Sequence, residues 1–386
     1  MSTLDLGVHA RCVCAVPSVA RADGDEPSPS SSSSRFFTAT NTLRGENKLI
    51  QVEFTPETKT CATTTSIALE HRCCETVDVD ETGTHVVVTY EDAGRETKRV
   101  RGVATAAVGE RDGASGTPTD LRLDDASSSA TAKDVEEFET VKCARLNRVT
   151  GTLVTVDEFK ARVWRRRDDG AFARASSCAT RVDQSRSEII GGMNTMQDGV
   201  AQGAWDPHSA DAFACGVDAD VVVFDARTAS RAQTIEKAHA QQTRDVRYNP
   251  NKPHEMMSCG DDGLLKMWDA RAHERPLKVV AGHEHWIWNC AYNPVYDALT
   301  LSAGSDGTVR LWCDDDALPS DSHSASRADA RSGIRAVSRR VVRADSVSAR
   351  ACAWSAADPW TYAVVTADGA FTALEVPREE KYRILL

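Results

Sequence analysis

Hydrophobic and polar positions alternate in short runs along much of the chain, and turn residues separate the runs. Asp245–Tyr248, Glu255–Cys259 and Leu264–Trp268 are three such runs, divided by Asn249-Pro250-Asn251 and Asp261-Asp262-Gly263. A period of two predicts strands with one buried face, and the Asn, Pro, Asp and Gly between them predict tight turns. A helical solenoid would require a 3.6-residue period, which these runs lack.

The runs recur. The segment His239–Arg271 matches the segment from His283 onward without a gap: His239 and His283, Tyr248 and Tyr292, Pro250 and Pro294, Ser258 and Ser302, Asp262 and Asp306, and Trp268 and Trp312 are each 44 residues apart. Upstream, Cys215, Gly216, Asp218, Phe224, Asp225 and Arg227 precede their counterparts by the same 44, with Trp205 in the Tyr248 role after one residue of slippage. Downstream, Trp354, Asp368 and Gly369 follow Tyr292, Asp306 and Gly307 by 62, so an insertion of 18 residues falls within the polar stretch 313–340. Weaker copies end at Val163-Trp164, at His85–Tyr90 and at Lys48–Phe54, for about seven units in all. A period of roughly 40–45 residues with a terminal Trp-Asp and an early His is the pattern of the WD-repeat propeller, in which four strands make one blade.

The expected fold is therefore all-β: a single seven-bladed WD-repeat β-propeller over residues 1–386, with disordered Ser/Asp-rich loop insertions. The clearest blades are 193–230, 239–271, 283–312 and 345–386. Gly7–Val16 is expected in the first blade, and Lys381–Leu386 is expected as the outer strand that closes the last. Low-complexity loops fall at 20–34, 109–133 and 313–331; rich in Ser, Asp, Pro and Ala, they bury too little to order themselves, and their Ser-Pro and Ser-Asp pairs suit phosphorylation.

The recurring polar residues have a structural rationale. The Trp indole can donate to the Ser hydroxyl, the Ser to the His, and the His to the Asp of the tight turn. The two best sets are His239, Ser258, Asp262, Trp268 and His283, Ser302, Asp306, Trp312. A Ser/His/Asp grouping that recurs with the repeat is a fold device, not a catalytic triad.

Composition narrows the function. Apolar residues are 41% and charged residues 27%, as in a folded globular chain, and the net charge of −11 argues against nucleic acid or an anionic membrane as main partner. No apolar run reaches the 18 or so residues of a transmembrane helix, and Asp5 precedes any Arg, so the expectation is a cytoplasmic protein without a targeting peptide. The twelve cysteines are scattered without paired CxxC motifs and read as reduced strand hydrophobes. His283-Glu284-His285 has no third metal ligand at a recognisable spacing, and Asp314-Asp315-Asp316 has no calcium-loop order, so no metal, cofactor or small-molecule substrate is expected. No phosphate loop or nucleophile elbow is present, and the chain reads as a non-enzyme.

Several strings are more specific than the repeat. HEHWIWNCAYNP, DVRYNPNK with SCGDDGLLKMWDAR, AWSAADPW at Ala353–Trp360, the terminal KYRILL, and RFFTATNTLRGENKLIQVEF at Arg35–Phe54 together resemble the EARP- and GARP-interacting WD-repeat protein family, also called TSSC-type. The resemblance implies a seven-bladed scaffold that binds protein subunits of the endosome-associated recycling (EARP) and Golgi-associated retrograde (GARP) tethering complexes. It further implies a role in endosomal recycling and retrograde vesicle transport, on the cytoplasmic side of endosomes and the trans-Golgi network.

Partner-binding candidates lie where the first strand of each blade begins. By the offsets, Trp286 and Trp288 correspond to Gln242 and Arg244 in the preceding blade and to Ser348 and Arg350 in the next. Arg244, Trp288 and Arg350 are thus expected around one opening, and Trp and Arg are the types that dominate interface energetics. Trp286 and Trp288 flank Ile287 on an alternating strand and equally suit packing between blades. Trp268, Asp269 and Arg271, echoed by Phe224-Asp225-Ala226-Arg227, resemble the WDxR box with which some propellers dock on a cullin-type ubiquitin ligase adaptor. The alternative is that Arg271 follows an ordinary WD end and pairs with a neighbouring blade.

Overall fold

The computed structural model describes residues 2–17, 33–42, 46–70, 72–83, 85–92, 100–107, 119–120, 123–124, 141–157, 160–167, 172–180, 200–228, 230–317, 334–341 and 347–386. These residues form seven β-sheets. Sheet one runs Ala10–Ala15, Ser34–Thr40, Asn47–Thr55, Thr60–Glu70, and sheet two Arg72–Val79, His85–Asp92, Val100–Ala107, Thr119–Asp120. Sheet three holds Cys143–Leu146, Leu153–Val156, Lys160–Arg166 and Phe172–Ala179, with Leu123–Asp124 added in parallel at its edge. Sheet four is Val200–Trp205, Ala212–Val217, Asp220–Asp225, Ser230–Ile235; sheet five is Thr243–Tyr248, Glu255–Gly260, Leu264–Asp269, Lys278–Ala281. Sheet six is Ile287–Tyr292, Leu299–Gly304, Thr308–Asp314, Ile334–Val341, and sheet seven Ala349–Trp354, Thr361–Thr366, Ala370–Glu375 with Ser2–Asp5.

The first strands of consecutive sheets touch, and the first strand of sheet seven touches that of sheet one. The sheets stack face to face, so that Leu301 and Leu311 of sheet six pack with Tyr362 and Leu374 of sheet seven in one buried cluster. A four-strand meander buried on both faces needs apolar side chains pointing both ways, and sheet six accordingly has an unbroken buried strand at Leu299–Gly304. Burial pushes the Cys215, Cys259 and Cys352 thiols well up, which keeps them as inert apolar filling.

Expectations of three kinds need correction. The outer strand of sheet seven is Ser2–Asp5, paired antiparallel with Ala370–Ala373, whereas Lys381–Leu386 falls mostly in a helix at Arg378–Leu385. The N-terminal strand already satisfies that edge, and Pro377 before the helix, Glu379 and Glu380 in its first turn and Arg383 in its last favour a helix instead. Secondly, His85–Tyr90 lies in the second strand of sheet two rather than ending a unit, and Trp205 pairs with Phe213, the register of Arg247 and not of Tyr248. Finally, the loop boundaries shift: Ser34 opens a buried strand, Thr119–Asp120 and Leu123–Asp124 are strands inside 109–133, and 313–317 is the end of a strand followed by a 3₁₀ turn. The rest of those loops lies outside the described residues, apart from residue 33.

Candidate functional site: an arginine and tryptophan arc at the mouth of the inner strands

Two groups of polar residues define the chemistry of the fold, and both follow from strand register. The first lies within sheets five and six. Trp268 Nε1 donates to Ser258 Oγ at 2.9 Å, Ser258 lies 2.8 Å from His239 Nε2, and His239 Nδ1 lies 2.9 Å from Asp262. In sheet six Trp312 donates to Ser302 at 2.9 Å, Ser302 reaches His283 at 2.7 Å, and His283 Nδ1 is 3.1 Å from Asp306. Burial opposes ionisation of Asp262 and Asp306, but His239 for the one, and His283 with Thr308 for the other, outweigh it and hold both carboxyls below the usual range. Gly260 and Gly304 leave the room the imidazoles need: a Cβ on Gly304 would sit 2.3 Å from His283 Nδ1. Both nitrogens of His283 are therefore engaged. Asp314 and Asp316 hold Lys278 at 2.6 and 2.9 Å.

Sheet three has a shortened version in which Trp164 donates to Thr155 Oγ1 at 2.9 Å. In sheet four the corresponding positions are Ala214 and Phe224, so this donor and this acceptor are lost together.

The second group is built by a backbone irregularity. In the first strands of sheets five, six, seven and one the register slips by one residue, at Thr243/Asp245, Ile287/Asn289, Ala349/Ala351 and Ala10/Cys12. The extra residues are Arg244, Trp288, Arg350 and Arg11, and the slip at Cys74/Thr76 in sheet two adds Glu75. A bulge re-aims its side chain out of the alternating pattern, and here the five side chains meet at one end of the inner strands.

Trp288 is the centre of this arc. The Arg350 guanidinium carbon stands 4.2 Å from its ring centroid and that of Arg244 stands 4.8 Å away, so one indole has two cations within cation–π range. Its Nε1 donates to Ser348 Oγ at 3.0 Å. Trp286, 37% exposed, packs edge-on against Trp288 with centroids 5.6 Å apart, and Arg244 also lies 5.4 Å from it. Arg244 makes a two-pronged bond to Asp261 at 2.6 and 2.7 Å, and Arg11 pairs with Glu75 at 2.7 Å. The geometry thus brings Arg244, Trp288, Arg350 and Trp286 together. Arg11, Glu75 and Asp261 were missed from sequence because sheets one and two lack the His and Trp that allow the repeat to be aligned, and because Asp261 sits beside the turn Asp that the pattern emphasises.

The Trp268, Asp269 and Arg271 group is arranged differently. Arg271 is bonded to its own Asp269 at 3.0 and 2.8 Å and is well exposed, and these bonds pull the Asp269 carboxyl down to about 2. Trp268 is buried with Ser258. The ion pair of Arg271 is with its own Asp269 and not with a neighbouring blade, and its remaining N–H donors stay exposed.

Residues 175–312 match the family model described as EIPR1 beta-propeller. That stretch is similar to the EIPR1 beta-propeller family. It contains sheets four and five, three strands of sheet six, and with them Arg244, Trp286 and Trp288 of the arc. The chain is also similar to the EARP-interacting protein homolog of Dictyostelium discoideum, 32% identical over 106 residues, which is 28% of this chain and 23% of that relative. The chain thus covers about a quarter of the length of the curated relative it matches. Among the described residues no helix is long and apolar enough to cross a membrane.

Proposed function

We propose that the chain is a non-enzymatic scaffold that binds subunits of the EARP tethering complex through the Arg244, Trp288 and Arg350 arc, with Trp286 at its rim. The observation that carries this reading is the arc itself: two guanidiniums beside one half-buried indole, with Arg244, Trp286 and Trp288 inside the segment that matches the EIPR1 model and Arg350 beyond it. The name of the Dictyostelium relative supports the choice of partner. The reading extends to GARP subunits, and so to endosomal recycling and retrograde transport to the trans-Golgi network, with the chain held at those membranes by its protein partners. Structurally, residues with every donor and acceptor matched stabilise the fold, whereas exposed Trp and Arg remain available to a partner.

Affinity purification of the chain from cells tests the partner. The expected result is recovery of the subunits shared by the two complexes, and their absence overturns the assignment. Trp288→Ala tests the surface: it is expected to cost at least about 2 kcal/mol of affinity, the scale of an interface hot spot, in a protein that still unfolds cooperatively. Undiminished binding by folded Trp288→Ala, Arg244→Glu and Arg350→Glu proteins would move the interface elsewhere.

A further inference from the structure

The arc is not electrically balanced. Arg244 has Asp261 and Arg11 has Glu75, each within 2.7 Å. Arg350 stands between these two pairs and, among the described residues, has no carboxylate of its own. Its guanidinium lies on the Trp288 face, and its Nε is buried without an acceptor. Burial, with Arg11 and Arg244 as like charges, pushes this guanidinium down to about 10 despite the attraction of Glu75. A part-buried cation without a counter-ion is costly, and a fold retains one where another molecule supplies the anion. This local excess of positive charge sits on a chain with net charge −11.

We propose that the arc seats an acidic peptide segment of the bound protein, one Asp or Glu carboxylate pairing with Arg350 and a neighbouring apolar side chain covering Trp286. The inference rests on the reading of the arc as the partner-binding surface and adds the chemistry of what enters it. A carboxylate fits the count, since one guanidinium lacks a partner and a carboxylate brings one charge and two coplanar oxygens that match its fork. A phosphate would bring close to two charges and three oxygens, whereas the fork of Arg244 is already engaged by Asp261 and Arg11 is already paired with Glu75 through Nη1. Trp286 supplies an exposed ring beside the cation, with its edge fixed by Trp288 and by His285 at 4.8 Å. A segment with an acidic residue next to a Leu or Phe meets both.

The test uses the intact chain and two ligands: the purified tethering complex, and an array of overlapping peptides covering its subunits. Bound peptides are expected to contain an Asp or Glu whose change to Asn or Gln lowers affinity by roughly tenfold, as for loss of a charge-assisted bond. Arg350→Gln is expected to cause the same loss, with the two changes together costing little more than either alone, and Arg350→Lys to restore part of the binding. Because the peptide-side change leaves the propeller untouched, it decides the matter even if an Arg350 variant folds poorly. Binding indifferent to the carboxylate, or no bound peptide, overturns the acidic-segment inference. Tighter binding of the same peptides when phosphorylated would replace the carboxylate by a phosphate and also overturn it. Binding of the complex is measured separately: if the complex binds while the carboxylate is irrelevant, the proposed function stands and this inference falls, and if the complex does not bind, the proposed function falls.

Discussion

Sheets five and six use His, Ser, Asp and Trp inside the sheet, and the arc uses Arg and Trp at its mouth, with opposite outcomes. Inside, each donor has an acceptor: Trp312, Ser302, His283 and Asp306 form a chain with bonds of 2.7 to 3.1 Å. At the mouth, Arg350 has a ring face and, among the described residues, no bonded carboxylate, and Trp286 remains 37% exposed. Both regions carry a tryptophan whose N–H bonds a serine, to Ser302 in one and Ser348 in the other. The difference is what remains unsatisfied around the ring. In the proposed reading, the matched set around Trp312 belongs to the fold, and the charge left over at the mouth is what a bound protein meets.

The largest effect that would break this comparison is on stability. Trp312→Ala removes a buried ring and leaves Ser302 Oγ without its indole donor, with an expected loss of about 3–5 kcal/mol in denaturant unfolding. Trp286→Ala, at the mouth, is expected to change stability by no more than about 0.5 kcal/mol, the usual range for a surface site. Equal losses from the two substitutions would erase the distinction between the regions.

Next in size is the closing strand. Deleting residues 2–5 uncovers the edge of Ala370–Glu375 and is expected to lower the melting temperature and promote association, because an unpaired edge recruits other strands. Removing 381–386 disrupts a helix with no buried residue and is expected to have much the smaller effect on the melting curve. The reverse order would return the closing role to the C-terminus.

A smaller effect sharpens the electrostatic side. Arg350→Gln removes a poorly compensated cation, so unfolding experiments are expected to show stability unchanged or raised by up to about 1 kcal/mol while partner binding falls, the trade expected at a functional site. Ser302→Ala is expected to act oppositely, losing about 1–3 kcal/mol because Trp312 and His283 are left unmatched.

The smallest effect is a pH dependence. The Asp262 and Asp306 carboxyls are depressed in the folded chain, so the stability they contribute is present above the unfolded carboxylate range near 4 and is lost as pH falls through their folded values. Asp306→Asn is expected to flatten part of the acid limb of a stability-versus-pH curve, and an unchanged limb would deny the linkage.

The sequence by itself determined the strands, the repeat and the polar sets, because these depend on short-range alternation and on residues that recur at one spacing. It placed His283, Ser302, Asp306 and Trp312 in one group, and it set Arg244, Trp288 and Arg350 at equivalent positions. Only the tertiary structure decided the rest. Closure by Ser2–Asp5 pairs residues at opposite ends of the chain, and no local pattern records which segment reaches a distant edge first. Arg11 and Glu75 joined the arc through register slips in sheets without the marker His and Trp, where an offset cannot be counted. The missing carboxylate of Arg350 is likewise a property of the assembled mouth: charge balance depends on which side chains meet across five sheets, and composition along the chain does not contain it.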